Sequence, residues 1–303
     1  MECIEIKRLR KDYGGIKAVR DISFKINKGD FFGFIGPNGA GKTTTIKSIL
    51  GLVKFKGNIS IFGKDVIIDY KESRKKIGLS PQELNFDRFL SVEECLLYTA
   101  GYFGIKKDIA KKRTLELLNE FNLFEKRKVR VDYLSGGMKR RLIIARALVH
   151  DPEILILDEP TAGLDVELRH ELWDLLKKIN KEGKTILLTS HYIEEIEALC
   201  KTVCIIHKGK ILSLGKKEDI MGKLSNQTLQ LKTDVPVPIN IILRKNLEIK
   251  QKGKLSKITG KNIKKKAKDI INAIEKAGIT VKEIDMVDER LENVFLRLTK
   301  GKK

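Results

Sequence analysis

"DFFGFIGPNGAGKTTTIKSIL", residues 30–50, decides the fold. A dense apolar run from Phe31 to Ile35 reads as a strand buried on both faces, and it leads straight into glycines. Ile46, Ile49, Leu50 and Val53 then recur at helical spacing. Between strand and helix, "GPNGAGKT" fits G-x-x-x-x-G-K-[ST] from Gly36 to Thr43, in the context that pattern requires. Chemistry dictates the residue types. Glycines let the backbone bend until its N–H groups face phosphate oxygens. The expected cradle is Gly36, Pro37, Asn38, Gly39, Ala40 and Gly41, completed by Lys42, Thr43 and Thr44. Lys42 is placed to reach β- and γ-phosphates, and the Thr43 hydroxyl to meet Mg²⁺. A second "GKT", at Gly183 to Thr185, runs into a strand rather than out of one and is read as a turn.

Two more buried strands follow. "EILILDEP" ends with Asp158 and Glu159 side by side. Neighbours on a strand point to opposite sides, so the two carboxylates are expected to do different work. Asp158 is suited to hold Mg²⁺, and Glu159 to accept a proton from an attacking water. "KTILLTSH" ends with Ser190 and His191, expected at the same sheet edge, where His191 is placed to touch a γ-phosphate. "VELRHELWDLLKKINKEG" is a helix with a glycine stop, and the span from Ser91 to about Val149 reads as mostly helical. Buried strands alternating with helices predict a parallel sheet with covering helices. The first strands, "IEIKRL" and "DISFKI", alternate loosely and predict an antiparallel part.

The texture changes near residue 225. "TDVPVPIN" carries two prolines and is expected to be a linker or edge segment. "NLEIKQKGKLSKI" predicts a hairpin, "NIKKKAKDIINAIEKAG" an amphipathic helix and "TVKEIDMV" a strand. Leu291, Val294, Phe295 and Leu298 line one face of a last helix. The expectation is a main α/β domain over residues 1–224, with a helical subdomain at about 84–150, and a small basic α+β domain over 225–303.

The 303 residues are 42% hydrophobic and 33% charged, and no apolar run is long enough to cross a bilayer. "MECIEIKRLRKDYGG" puts charges where a signal peptide needs its apolar stretch, which favours the cytoplasm. Four cysteines do not make a disulfide scaffold, and the closest pair, Cys200 and Cys204 with His207 nearby, reads as part of a packed strand, "VCIIH", rather than a metal site. The net charge is +21. Residues 225–303 carry 19 Lys and Arg against 9 Asp and Glu, a surplus of +10, leaving +11 on the first 224. Such a surplus suits an anionic membrane face or nucleic acid. Aromatics are only 6% and basic–aromatic interleaving is missing, so direct nucleic-acid binding is not expected.

"LSGGM", residues 134–138, then poses a puzzle. A serine and two glycines open the helix "KRRLIIARALV", another start that attracts anions. Taken together and in order, "GPNGAGKTT", "SPQ", "LSGGM", "ILILDEPTAGLD" and "TSH" resemble the ATP-binding cassette (ABC) ATPases over roughly residues 1–224. The resemblance implies ATP and Mg²⁺ as ligands and a head-to-tail dimer. In such a dimer the LSGG-type loop of one chain closes on nucleotide held by the other, so Ser135, Gly136 and Gly137 would face a partner's ATP. By the same matching, Gln82 of "SPQ" would watch Mg²⁺ and the attacking water, and Asp165 of "GLD" would cross the dimer interface. Tyr13 of "KDYGG" would stack on adenine. Met138 stands where many members have glutamine, but Ser135 and both glycines are intact.

Within that family, "GLSPQELNFDRFLSVEECLLYTAGYFG", "LSGGMKRRLIIARAL" and the ending "DERLENVFLRLT" resemble single-cassette subunits of type-2 exporters. That implies a separate multi-span membrane permease as partner, residues near Gln82 to Val92 receiving its cytoplasmic helix, and a place on the cytoplasmic face of the membrane. The alternative is an ABC ATPase acting on ribosomes or nucleic acid. Such proteins usually carry two cassettes or a long coiled-coil insertion, and this sequence has neither.

Overall fold

Two long strands open the chain, β1 (Glu2–Tyr13) and β2 (Ile16–Asn27), joined by a tight turn at Gly14 and Gly15. They pair antiparallel, Ile6 opposite Phe24, and their apolar positions face inward. This computed structural model of the chain describes residues 1–238, 247–260 and 263–300. Next come β3 (Phe31–Ile35), α1 (Lys42–Ile49), β4 (Lys56–Ile61), β5 (Lys64–Asp65), α2 (Tyr70–Lys75) and β6 (Ile77–Ser80). Helix α1 is shorter than its apolar spacing predicts. Gly51 at φ 63 follows the cap Leu50 and turns the chain out, so Val53 lies beyond the helix.

The helical stretch holds α3 (Val92–Tyr102), α4 (Lys107–Glu120) and α5 (Gly136–Leu148). Ser91 and Glu94 form a capping box that starts α3. Then follow β7 (Ile154–Asp158), α6 (Val166–Lys181), β8 (Thr185–Ser190), α7 (Ile193–Leu199), β9 (Thr202–His207) and β10 (Lys210–Lys216). The central sheet runs β10-β9-β3-β8-β7-β6, parallel except for the edge strand β10. Helix α5 packs on β6 and β7, and α7 on β3 and β8. The antiparallel sheet β2-β1-β4-β5 shares one core with it, Phe24 stacking on Phe32 and Phe34 at 5.5 and 5.6 Å.

The chain divides into two compact units, Met1–Lys217 and Glu218–Lys303. The division precedes the expected boundary at 224/225 by one helix, α8 (Lys217–Leu224). That helix is tied to the second unit at its end. The Leu224 carbonyl accepts from Arg297, and the Asn226 N–H donates to Glu289 at 2.5 Å. The second unit holds β11 (Gln227–Thr233), β12 (Glu248–Lys252), β13 (Leu255–Gly260), α9 (Ile263–Lys276), β14 (Val281–Asp288) and α10 (Leu291–Lys300). Its sheet runs β12-β13-β11-β14, antiparallel throughout, with the expected hairpin turning at Gly253. Ile263, Ile270 and Ile274 of α9 face its core, and Leu291 and Val294 of α10 are buried. The described part of the two-proline segment is not a linker between units. Val237 belongs to this core, and the Asp234 N–H donates to the Thr280 carbonyl at 3.1 Å.

His150 shows how the helical stretch is fastened. Its ring stacks on Phe103 with centroids 3.6 Å apart, and Nε2 donates to the Ile77 carbonyl at 3.1 Å. Burial, the largest cause, holds its pKa below the ordinary 6.5. As pH falls, the unfolded chain therefore takes up this proton before the folded one does. The stability from neutral His150 is complete above 6.5 and is lost as pH falls towards the lowered folded value. Urea midpoints measured between about pH 7 and 5, where an ordinary histidine charges, should fall less steeply in His150→Gln than in the wild type.

Candidate functional site

Parallel pairing sets the site. Ile35 lies opposite Ser190, Asp158 opposite Thr189, and Ser80 opposite Leu157, so the C-terminal ends of β3, β8, β7 and β6 open on one edge of the sheet. The glycine loop, Ser190 and His191, Asp158 and Glu159, and Pro81 and Gln82 all leave the sheet there. A cavity of about 450 Å³ at this edge is lined by Ala18, Asn38, Gly39 to Thr44, Gln82 and Glu159.

Backbone geometry shapes the loop. A Cβ on Gly36 would sit 2.4 Å from the Ile206 carbonyl oxygen. Gly41 combines φ 108 with a Cβ position 2.6 Å from the Ala18 carbonyl oxygen. The loop is thus pressed against β9 and β2 more closely than any side chain allows. The Gly209 N–H holds it from outside, donating to the Ala40 carbonyl at 3.0 Å. The Ala40 N–H turns inward to the Pro37 carbonyl at 3.1 Å, so this member of the expected cradle is used within the loop itself. Lys42, only 6% exposed, donates to the Gly36 carbonyl at 2.8 Å and lies 3.5 Å from Glu159 Oε1.

The two carboxylates do not part as strand alternation predicts. Strand β7 ends at Asp158, and Glu159 turns into the left-handed region at φ 50. Its N–H is held by Thr189, by the carbonyl at 3.0 Å and Oγ1 at 3.2 Å. That turn brings both carboxylates to the loop. Asp158 Oδ2 accepts from Thr43 Oγ1 at 3.1 Å, and its other oxygen from the Thr189 hydroxyl. Glu159 Oε2 accepts from Gln82 Nε2 at 3.2 Å and lies 3.0 Å from His191 Nδ1. A left-handed non-glycine residue costs about 1–3 kcal/mol. Here it is held by two hydrogen bonds to Thr189, which the sequence reading did not single out.

The remaining expected residues lie in other settings. Ser135 caps α5, its Oγ accepting from the Met138 N–H at 3.3 Å, and Gly136 has open space where a Cβ would stand. Gly137 packs on α6, a Cβ there falling 2.9 Å from Leu168 Cδ1. Asp165 caps α6 through the Leu168 N–H at 2.9 Å, so it sits one helix start away from Gly137. Tyr13 is half-exposed with Lys11 Nζ 4.4 Å over its ring, and it does not line the loop cavity. Cys200 and Cys204 are buried thiols, and burial pushes both well above the ordinary value. Among the described residues no three His, Cys, Asp or Glu side chains gather as a metal cage. Thr43 and Asp158 fit Mg²⁺, a hard cation that takes oxygen ligands and needs only one or two carboxylates beside substrate phosphates.

The ABC transporter family profile matches residues 19–162. The chain is 40% identical over 227 residues to the linearmycin resistance ATP-binding protein LnrL of Bacillus subtilis (strain 168), covering 75% of this chain and 73% of that protein. It belongs to the ABC transporter family. This ABC ATPase is also 41% identical over 219 residues to a Nod factor export ATP-binding protein I of Cupriavidus pinatubonensis, covering 72% of this chain and 67% of that one. Its fold matches a solved ATP-binding subunit of an ABC transporter with TM-score 0.67 and 31% identity, over 73% of this chain and 92% of the other. It also matches a dimeric ATP-binding cassette in a post-hydrolysis state bound to ADP and Pi, with TM-score 0.64 and 28% identity, over 70% and 98%. ATP binding and hydrolysis are thereby the activity of this chain.

The close approach at Gly41 makes a direct prediction. Gly41→Ala should destabilise the first unit by about 1–3 kcal/mol, roughly 2–4 °C in Tm for each kcal/mol in a unit of this size. It should also abolish ATP binding. A thermal melt with and without ATP reads both effects.

Proposed function

We propose that this ATPase powers export through a separate multi-span membrane permease. The observation that carries the chemistry is the contact of Glu159 with Lys42, Gln82 and His191 at the loop edge. Lys42 and the loop N–H groups bind the β- and γ-phosphates, and Thr44 adds a hydroxyl. Lys42 then exchanges the Gly36 carbonyl for phosphate oxygen. Thr43, Asp158 and Gln82 hold Mg²⁺, which when bound draws charge off the phosphate oxygens. Glu159 takes the proton of the water that attacks the γ-phosphorus, and the bond to ADP breaks. Gln82 and His191 orient that carboxylate, and His191 reaches the γ-phosphate. Tyr13 stacks on adenine through its open half.

Two chains share their sites head to tail. Ser135, Gly136 and Gly137 meet the partner's ATP, with the exposure of Ser135 and Gly136 in support. Asp165, capping the helix that Gly137 touches, lies at the same interface. The permease helix docks in a groove formed by two cavities of about 210 and 270 Å³ that share Leu50, Leu52 and Leu79, the first also lined by Pro81, Gln82 and Glu83. Among the described residues no helix is long and apolar enough to cross a membrane. The membrane spans belong to the permease, and the cassette sits on its cytoplasmic face. The +21 charge is drawn to anionic lipid there.

Glu159→Gln should lower turnover by about 100-fold or more with ATP binding intact. Captured with ATP from detergent-solubilised membranes, it should bring down a polytopic membrane protein. Wild-type turnover would refute the role of Glu159, and ribosomal proteins or nucleic acid in place of a membrane partner would refute export. A mixture of Ser135→Arg and Lys42→Ala chains should regain partial ATPase activity that neither shows alone, because both lesions can fall in one composite site. A mixture as inactive as its parents excludes the shared arrangement.

A further inference from the structure

Helix α5 begins at the loop that, on the proposed function, touches the partner's nucleotide. Five residues beyond Ser135, Arg140 leaves this helix for the interior and is 4% exposed. Among the described residues its guanidinium meets no carboxylate directly. Nη1 donates to the Pro81 carbonyl at 3.2 Å and Nη2 to the Gln82 carbonyl at 3.1 Å. A guanidinium stays charged when buried, and its two terminal nitrogens, held apart in one plane, each take one of two adjacent carbonyls, a spacing that the single nitrogen of a lysine does not reproduce. Burial lowers its pKa, while the charges of Glu159 and Glu195 act the other way. A second arginine of α5 repeats the contact further along. Arg146 Nη1 donates to the Asn85 carbonyl at 3.1 Å, and its cation lies 4.9 Å from the Phe86 ring centre. The segment Pro81–Phe86 is therefore strapped to α5 at two points.

At the near end of this strap, the Gln82 side chain donates to Glu159 at 3.2 Å. A continuous path thus runs from Ser135, through α5 and Arg140, to the Gln82 backbone, its side chain and Glu159. Ser135 serves one nucleotide site of the dimer, and Glu159 serves the other. We infer that Arg140 is the positioning residue by which each site senses nucleotide in the other: closure of Ser135 on the partner's ATP moves α5, and Arg140 passes that movement to the existing contact of Gln82 with Glu159. The inference rests on the shared-site reading above. Arg140 touches neither ATP nor water and acts only through Gln82. The same strap reaches the proposed permease groove, because Pro81, Gln82 and Asn85 line it.

The test is ATPase rate against ATP concentration for the wild type, Arg140→Gln and Arg140→Lys, alongside binding of a fluorescent ATP analogue. The wild type should be sigmoidal, with a Hill coefficient approaching about 2, the ceiling for two sites. In Arg140→Gln the coefficient should fall towards 1 and turnover by about 10- to 100-fold, with nucleotide affinity unchanged. A merely structural role would lower turnover and leave the coefficient alone. Arg140→Lys keeps the charge but offers one nitrogen in place of two fixed ones, so its hold on both carbonyls is looser and its coefficient should lie between the two. It carries the test if Arg140→Gln does not fold. Sigmoidal curves of equal steepness in all folded variants would overturn the coupling and leave the shared site standing. A hyperbolic wild type would overturn the coupling, and the mixture of Ser135→Arg and Lys42→Ala chains decides the shared site separately.

Discussion

In-register parallel pairing of β9, β3, β8, β7 and β6 is the constraint on which the rest of the structure depends. Parallel strands present their C-terminal ends at one edge, and each crossover helix returns the chain to start the next strand. Loops that are far apart in sequence are thereby forced together. Gly36, Gln82, Glu159 and His191 each follow a different strand end, and their separations in sequence are irrelevant once Ile35 lies opposite Ser190 and Asp158 opposite Thr189. The strand cores are fully apolar because helices cover the parallel sheet, so a register slip would expose or distort them all.

The edge itself is tight rather than roomy. Gly36 and Gly41 let the loop touch the backbones of β9 and β2, and Gly209 fastens it through Ala40. Lys42 and Glu159 are both buried, a costly placement for two charges unless each finds hydrogen bonds and its counter-charge. Both do: Lys42 uses loop carbonyls, and Glu159 uses Gln82 and His191. The buried ammonium and carboxylate are thus both satisfied by groups of the protein itself. The polar groups around Glu159 come from three strand ends, and a change in one loop is felt by all of them.

Much of this was legible beforehand, for reasons that differ by element. The glycine loop could be read because its residue types are dictated locally by backbone bend and phosphate contact. The acid pair and "TSH" could be placed because each ends a run of apolar residues that only a buried strand explains. Alternation misled at Glu159, since a strand's period says nothing about the residue that leaves it at φ 50. The unit boundary also moved, because helix α8 has no composition break in front of it. Its allegiance comes from hydrogen bonds with Glu289 and Arg297, more than sixty residues away.

The sequence by itself determined the family and the ATPase activity, and it singled out Lys42, Thr43, Asp158 and Glu159 as one candidate site. Those depend on short motifs of neighbouring residues, which a sequence displays directly. Only the tertiary structure decided what Arg140 and Thr189 do. An arginine inside "MKRRLIIARAL" looks like one more solvent-facing cation of a basic chain. It becomes a buried strap because α5 packs on β6, which brings two carbonyls at the strand's exit within reach of its fork. Such a partnership spans about sixty residues and leaves no local pattern, since carbonyls belong to every residue alike.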